Sequence, residues 1–152
     1  MQLFIIAIGK GRTSPENSLA HNWLSRLQPT GQLIEVESKL PPGLNRNKDE
    51  SRRLLSSVPE AAALGVLDPR GKDHSSEELA ALICTWRDEG FRSACFAIGG
   101  ADGHTNVLLQ KASRIISFGS ATWPHMLFRA MLAEQLYRAN SILLGHPYHR
   151  AN

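Results

Sequence analysis

The chain has 152 residues, of which 42% are hydrophobic and 20% are charged, as is typical of one globular domain. Its longest apolar run, residues 3–8, is too short to span a membrane or to form the core of a signal peptide, so we expect a cytoplasmic protein. The net charge of +3 is compatible with an anionic partner but does not require one.

In the first half of the chain, short apolar runs alternate with a segment of helical periodicity. Residues 3–8 predict a buried strand, Ser14 predicts the N-cap of a helix, and residues 32–38 predict a second strand. Residues 39–48 contain Pro and Gly at a density that favours a loop. A short basic helix is predicted to follow over residues 49–57.

The same alternation continues in the second half. Three further strands are predicted at residues 61–68, 93–100 and 114–119. Ser75 and Glu78 have the spacing of a capping box and predict a helix, and two more helices are predicted at residues 105–113 and 124–144. Strands that alternate with helices indicate an α/β fold, with a mostly parallel sheet and helices on both of its faces. Because no linker or repeat divides the chain, we expect a single domain over residues 1–152.

The cysteines and histidines do not predict a metal site. Cys84 and Cys95 lack C-x-x-C spacing and are expected to be reduced thiols. His146 and His149 are three residues apart, but no acidic or thiol ligand lies near them in the sequence. His104 follows a glycine turn and is compatible with either a site or a surface position.

Polar and glycine residues follow three of the predicted strands, where ligands bind in open parallel sheets. These strand ends are Leu67 with Asp68, residues 98–105, and residues 117–125. The glycines at 99, 100 and 103 do not form a dinucleotide fingerprint, so they are compatible with either a tight turn or a cofactor cradle. The presence of two glycine-containing loops and Leu67 favours the cofactor site.

Charged residues elsewhere have two open interpretations. Arg46, Lys48, Arg52 and Arg53 form the densest basic run, which could contact phosphate or simply be a solvated helix face. Arg129 and Arg138 lie on the last predicted helix, and we expect at least one of them to be solvated.

Several motifs together resemble one known family. The segments "MQLFIIAIGK", "IGGADG", "FGSATWPH", "EQLYRANSI" and the terminal "HPYHR" are similar to those of the ribosomal RNA large-subunit methyltransferase H family, a branch of the SPOUT methyltransferases. The resemblance covers the chain from end to end. It implies a homodimer with a C-terminal trefoil knot, which composition and periodicity do not indicate. The sequence departs from the family pattern at Asp102, where relatives often have glutamate, and at Trp123, where they often have leucine.

The resemblance also implies a reaction and its residues. The family transfers a methyl group from S-adenosylmethionine to N3 of a pseudouridine in large-subunit ribosomal RNA, within the assembled ribosome. By position, the implied cofactor-binding residues are Leu67, Gly99, Phe118, Gly119, Ser120, Ala121, Thr122 and Trp123. They coincide with the three strand ends identified above.

The ring-rich and cationic tail is implied to hold the acceptor nucleotide. His146, Tyr148 and Arg150 are the expected substrate-binding residues, since Tyr148 can stack on an unpaired base and Arg150 can bind phosphate or a base edge. Tyr148, His149 and Arg150 are the expected catalytic residues. His149 is our candidate for the general base that removes the N3 proton.

Two other functions are compatible with parts of this pattern. The chain could be a catalytically inactive module of the same fold that binds RNA or the ribosome, in which case it would not bind S-adenosylmethionine. It could instead be a flavodoxin-like or Rossmann-type enzyme acting on small molecules, in which case the tail would be dispensable.

Overall fold

The computed structural model describes residues 1–151 and contains five strands and five helices in alternation. The strands are β1 (Gln2–Ile8), β2 (Gln32–Val36), β3 (Ala62–Asp73), β4 (Ser93–Ile98) and β5 (Arg114–Ser117). The helices are α1 (Pro15–Ser25), α2 (Leu44–Ser56), α3 (Ser76–Asp88), α4 (Asn106–Lys111) and α5 (His125–Leu143). All pairings between strands are parallel, in the order β2-β1-β4-β3-β5. The predicted α/β class with a parallel sheet is confirmed.

Apolar side chains cover both faces of the sheet. On one face, Leu3, Ile5 and Ala7 of β1 belong to the core formed with α1, α3 and α5. On the other face, Phe4, Ile6 and Ile8 belong to the core formed with α2 and α4. Alternate residues of a strand point to opposite faces, so the continuous apolar run of β1 reflects burial on both sides.

Local sequence signals explain where two of the helices begin. The Ser14 hydroxyl accepts a hydrogen bond from the backbone N–H of Asn17, and Pro15 occupies the first helical position. Ser75 and Glu78 form the predicted capping box. Helix α5 begins at His125, one residue after the predicted start.

Helix α2 was predicted wrongly at its start. It begins at Leu44, five residues before the predicted position, so the second half of the predicted loop is helical. Gly43 precedes it with a φ of 142° and no side-chain cap, and two prolines come just before that glycine. The usual sequence signal for a helix start is therefore missing.

Strand β3 is longer than predicted because β5 pairs with it twice. Leu67 is opposite Ile116, and after an irregularity Lys72 is again opposite Ile116. Gly71 lies against the backbone of β5, where a Cβ atom would be 2.6 Å from the carbonyl carbon of Ile115. The chain between the two pairings therefore passes directly over β5. The trefoil knot implied by the resemblance stays a prediction.

Within residues 1–151, no helix combines the length and the apolar character needed to cross a membrane. The described residues also contain no group of three or more His, Cys, Asp or Glu side chains that could hold a metal ion.

Candidate functional site

A cavity of about 800 Å³ lies at the carboxyl ends of β1, β3, β4 and β5. Its volume is within the range of small-molecule sites, and its position is where open parallel sheets bind ligands. Apolar residues at the strand ends, including Leu67, Ile98 and Ile116, form part of the wall. The rest comes from the loops that follow the strands, from α2 and from the first turn of α5.

The structure brings all eight expected cofactor-binding residues together in this cavity. Leu67 ends the first part of β3, Gly99 follows β4, and residues 118–123 connect β5 to α5. The Trp123 indole N–H donates to the Phe118 carbonyl oxygen at 3.3 Å, so a hydrogen bond joins the two ends of this loop. Gly119 has a φ of 83°, a conformation that favours glycine. The role of these residues in binding stays a prediction.

His104 lines the cavity and connects Leu67 of β3 with Gly99, which follows β4. Its Nε2–H donates to the Leu67 carbonyl oxygen at 3.0 Å, and a Cβ atom at Gly99 would lie 2.9 Å from the ring carbon Cε1. Gly99 is therefore required by the close approach of the ring. Burial lowers the pKa of His104, which favours the neutral imidazole.

An ion pair lies within β3, in the part of the strand that follows Leu67. The Asp68 carboxylate is buried and accepts 2.8 Å hydrogen bonds from Nε and Nη2 of Arg70. These bonds lower the pKa of Asp68. The pair uses only Nε and Nη2, so Nη1 of this exposed side chain remains able to donate to an anionic ligand.

The last helix contributes a buried cation to the same end of the sheet. Arg129 is fully buried, donates to Glu35 at 2.6 Å, and donates to the carbonyl oxygens of Ile8 and Gly9. Its guanidinium also contacts Nε2 of His125, which must act as the acceptor and is therefore neutral. Burial lowers the pKa of His125, and the Arg129 charge lowers it further. The expectation that Arg129 or Arg138 is solvated is wrong, because Arg129 is buried and Arg138 is half-buried in contacts described below.

The basic run on α2 is largely neutralised within the helix. Arg52 and Arg53 both pair with Asp49, and Arg46 pairs with Glu50. The hydrogen bond from Arg53 is the main cause of the strongly lowered pKa of Asp49. Lys48 is exposed, so it is the member of this run most available to an external phosphate.

The tail lies outside the cavity of its own chain. The Tyr148 ring packs against Trp23 and Tyr137, with ring centroids 5.7 and 4.9 Å apart. The Arg138 guanidinium lies 4.8 Å from the Tyr148 ring, and the Tyr148 hydroxyl donates to Glu134 at 2.8 Å. Burial and this carboxylate raise the pKa of Tyr148.

Both nitrogens of His149 are engaged. Nε2 contacts Glu77 at 2.8 Å, and Nδ1 accepts from Arg138 at 3.3 Å. His149 would have to leave one of these partners before it could accept a substrate proton. His146 accepts from the Tyr148 backbone N–H, and Arg150 is exposed.

A second cavity, of about 650 Å³, lies between α1, α3 and α5 beside the tail. Trp23 and Glu134, which contact Tyr148, also line it. Residues 117–119 line both cavities, so the tail contacts are separated from the first cavity by a shared wall.

The sequence did not indicate several residues of these sites. Trp23, Glu77 and Glu134 hold the tail, and Glu50 lines the first cavity. For Glu50, the sequence did contain one signal: Arg46 precedes it by four residues, a spacing that predicts an ion pair on one face of a helix.

Comparisons with known proteins show which proteins this chain is similar to. Residues 1–149 match a family model described as "Predicted SPOUT methyltransferase". Two curated relatives are named ribosomal RNA large subunit methyltransferase H: one from Paramagnetospirillum magneticum is 47% identical and one from Maricaulis maris is 46% identical, with 99% of each chain covered in both comparisons. A solved structure described as a probable methylase family protein, from Haemophilus influenzae, shares the fold with a TM-score of 0.56 and 11% identity, over 98% of this chain and 70% of that one.

Proposed function

Because the chain belongs to the SPOUT methyltransferases, in the family of ribosomal RNA large subunit methyltransferase H, we propose that it methylates N3 of a pseudouridine in large-subunit ribosomal RNA on the assembled ribosome. The cofactor is S-adenosylmethionine. The observation that carries this proposal is the cavity at the carboxyl ends of the strands, which gathers the eight residues implied to bind the cofactor.

The residues of this cavity fit such a cofactor. The turn at Gly119 lets main-chain groups approach a nucleoside, and Leu67 and Ile116 offer apolar surfaces for the adenine ring. When bound, S-adenosylmethionine supplies an electrophilic sulfonium methyl group. The protein's main contribution is to hold the acceptor nitrogen in line with that carbon.

The tail supplies the acceptor side of the site. Tyr148 stacks on the flipped base, and Arg150 binds the adjoining phosphate or a base edge. His149 would accept the N3 proton, while the cofactor would supply the methyl group and leave as S-adenosylhomocysteine.

We further propose that the protein is a homodimer in which the tail of one subunit completes the cavity of its partner. In support, the tail does not line the cavity of its own chain. The surface beside the tail exposes Leu19 and Leu127, which a second copy would cover.

The reaction can be tested by mass mapping of ribosomal RNA from a strain that lacks the protein. We expect a single methyl group to be missing from one pseudouridine, and purified protein with S-adenosylmethionine to restore it on assembled subunits better than on free RNA. A complete set of methylated bases in that strain would refute the proposal. Deleting residues 146–152 should abolish restoration while leaving cofactor binding intact.

A further inference from the structure

The wall of the first cavity contains a buried carboxylate, Glu50 of α2. Glu50 is 4% exposed. Its neighbours on α2 bind the loop that follows β4: the Asn47 amide donates to the Gly103 carbonyl oxygen at 2.9 Å, and the Ser51 hydroxyl accepts from the Thr105 N–H at 3.3 Å. These contacts fix the position of Glu50 against the glycine loop.

The two oxygens of Glu50 have different surroundings. Oε1 accepts from Nε of Arg46 at 2.9 Å. Oε2 lies 2.8 Å from the point that a Cβ atom of Gly100 would occupy, so only glycine permits this approach. Across residues 1–151, no side chain or backbone N–H donates a hydrogen bond to Oε2. A carboxylate oxygen at a cavity wall with a free lone pair is suited to a donor on a ligand.

We infer that Glu50 is a cofactor-binding residue, and that Oε2 accepts a hydrogen bond from a ribose hydroxyl group of the bound nucleoside. Arg46 already neutralises the carboxylate, so a neutral hydroxyl donor suffices and a cationic group is not required. Carboxylates that bind ribose hydroxyls are used in the same way in dinucleotide-binding α/β folds. Glu50 can have this role only if the proposed cofactor is correct.

The test compares ligands that differ by one hydroxyl group. S-adenosylhomocysteine and its 2′-deoxy and 3′-deoxy analogues are titrated by calorimetry into the wild-type protein and the Glu50→Gln variant. In the variant, Arg46 can still donate to the side-chain oxygen of the new glutamine, while the amide NH₂ group takes the position of Oε2 at the cavity. A hydrogen-bond donor therefore replaces the acceptor that the ribose hydroxyl needs. We expect the variant to bind S-adenosylhomocysteine about tenfold to a hundredfold more weakly. We also expect one of the deoxy analogues to bind the wild-type protein more weakly than the parent ligand, and the variant to lose that discrimination.

Three controls separate this role from other effects. Glu60→Gln removes an exposed carboxylate elsewhere and should bind all three ligands as the wild type does. The melting temperature of Glu50→Gln shows whether that variant is folded. If Glu50→Gln does not fold, Glu50→Asp replaces it, because the shorter side chain keeps the negative charge but places the carboxylate farther from the cavity. A Glu50 variant that is folded and still discriminates between the hydroxyl and deoxy ligands would overturn the inference. Failure of the folded wild-type protein to bind S-adenosylmethionine or S-adenosylhomocysteine would instead refute the proposed cofactor, and the inference with it.

Discussion

The buried imidazole of His104 forms part of the wall of the first cavity and holds two of its strand segments in position. The ring donates to the carbonyl oxygen of Leu67 in β3 and lies against Gly99, the residue that follows β4. Its Nδ1 is buried and has no hydrogen-bond partner among the described residues, so a proton on that nitrogen would also have none. The neutral ring with its proton on Nε2 is therefore the form that fits.

We predict that His104→Leu lowers the free energy of unfolding by roughly 1–3 kcal/mol at pH 7.5, because the Leu67 carbonyl oxygen loses its donor. Burial lowers the pKa of His104 from its ordinary value of 6.5, so below about pH 6.5 the unfolded chain binds a proton before the folded one does. The wild-type protein thus loses stability as the pH falls through this range, and the leucine variant lacks that contribution. Urea unfolding at pH 7.5 and 5.5 should show a smaller difference between the two proteins at the lower pH.

The matched control is His21→Leu, which replaces an exposed histidine on α1 and should not reproduce this pattern. An equal difference between wild type and His104→Leu at both pH values would mean that His104 is not held neutral by the fold.

Individual residues were predicted from sequence where the signal was local or carried by a family motif. The capping residues Ser14 and Ser75 belong to the first kind, and the loop at residues 118–123 belongs to the second. The burial of Arg129 was not predictable in this way, because its partners Glu35 and Ile8 are 94 and 121 residues away in the chain.

At the scale of secondary structure, the extension of β3 is the feature that most constrains the sequence. Its second pairing with β5 requires the intervening chain to cross the backbone of Ile115 and Ile116 at Gly71. Sequence patterns gave the end of this strand as residue 68, since neither the pairing nor the crossing leaves a local hydrophobic signal. The start of α2 was missed for a related reason, because Gly43 provides no capping side chain.

We predict that Gly71→Val is strongly destabilising, by about 2–3 kcal/mol or more, because its side chain would overlap the β5 backbone, which cannot move aside as a flexible side chain could. Lys72→Ala, at an exposed position in the same segment, should change stability by less than about 0.5 kcal/mol. Chemical denaturation of both variants measures the difference. Similar stability in the two would show that β3 and β5 do not approach each other at Gly71.

At the scale of the whole molecule, the two faces of the sheet present different surfaces to solvent. The face covered by α1 and α5 exposes Leu19 and Leu127 beside the second cavity. The opposite face exposes Leu44 on α2 and Val107 on the short helix α4. The first face also holds the tail, through the contacts of Tyr148 with Trp23 and Tyr137, so it is the face that we expect to pack against a second copy.

We predict a mass in solution of about twice the 16.8 kDa of one chain, measured by size-exclusion chromatography with light scattering. Leu19→Glu combined with Leu127→Glu should give a monomer that still binds the cofactor but does not methylate RNA, because the tail no longer reaches a partner. Val107→Glu adds one negative charge at an exposed apolar position on the other face and should leave the dimer intact. A wild-type monomer that is fully active would contradict both the dimer and the shared site.

The pairing of β3 with β5, on both sides of the crossing at Gly71, also affects how the protein folds during its synthesis. Synthesis proceeds from the N-terminus, so β1 to β4 leave the ribosome before β5, which begins only at Arg114. Until β5 arrives, the outer edge of β3 is an unpaired row of backbone groups, the kind of edge that recruits other chains. During synthesis, this edge of β3 therefore stays exposed until the part of the chain that contains β5 has been made.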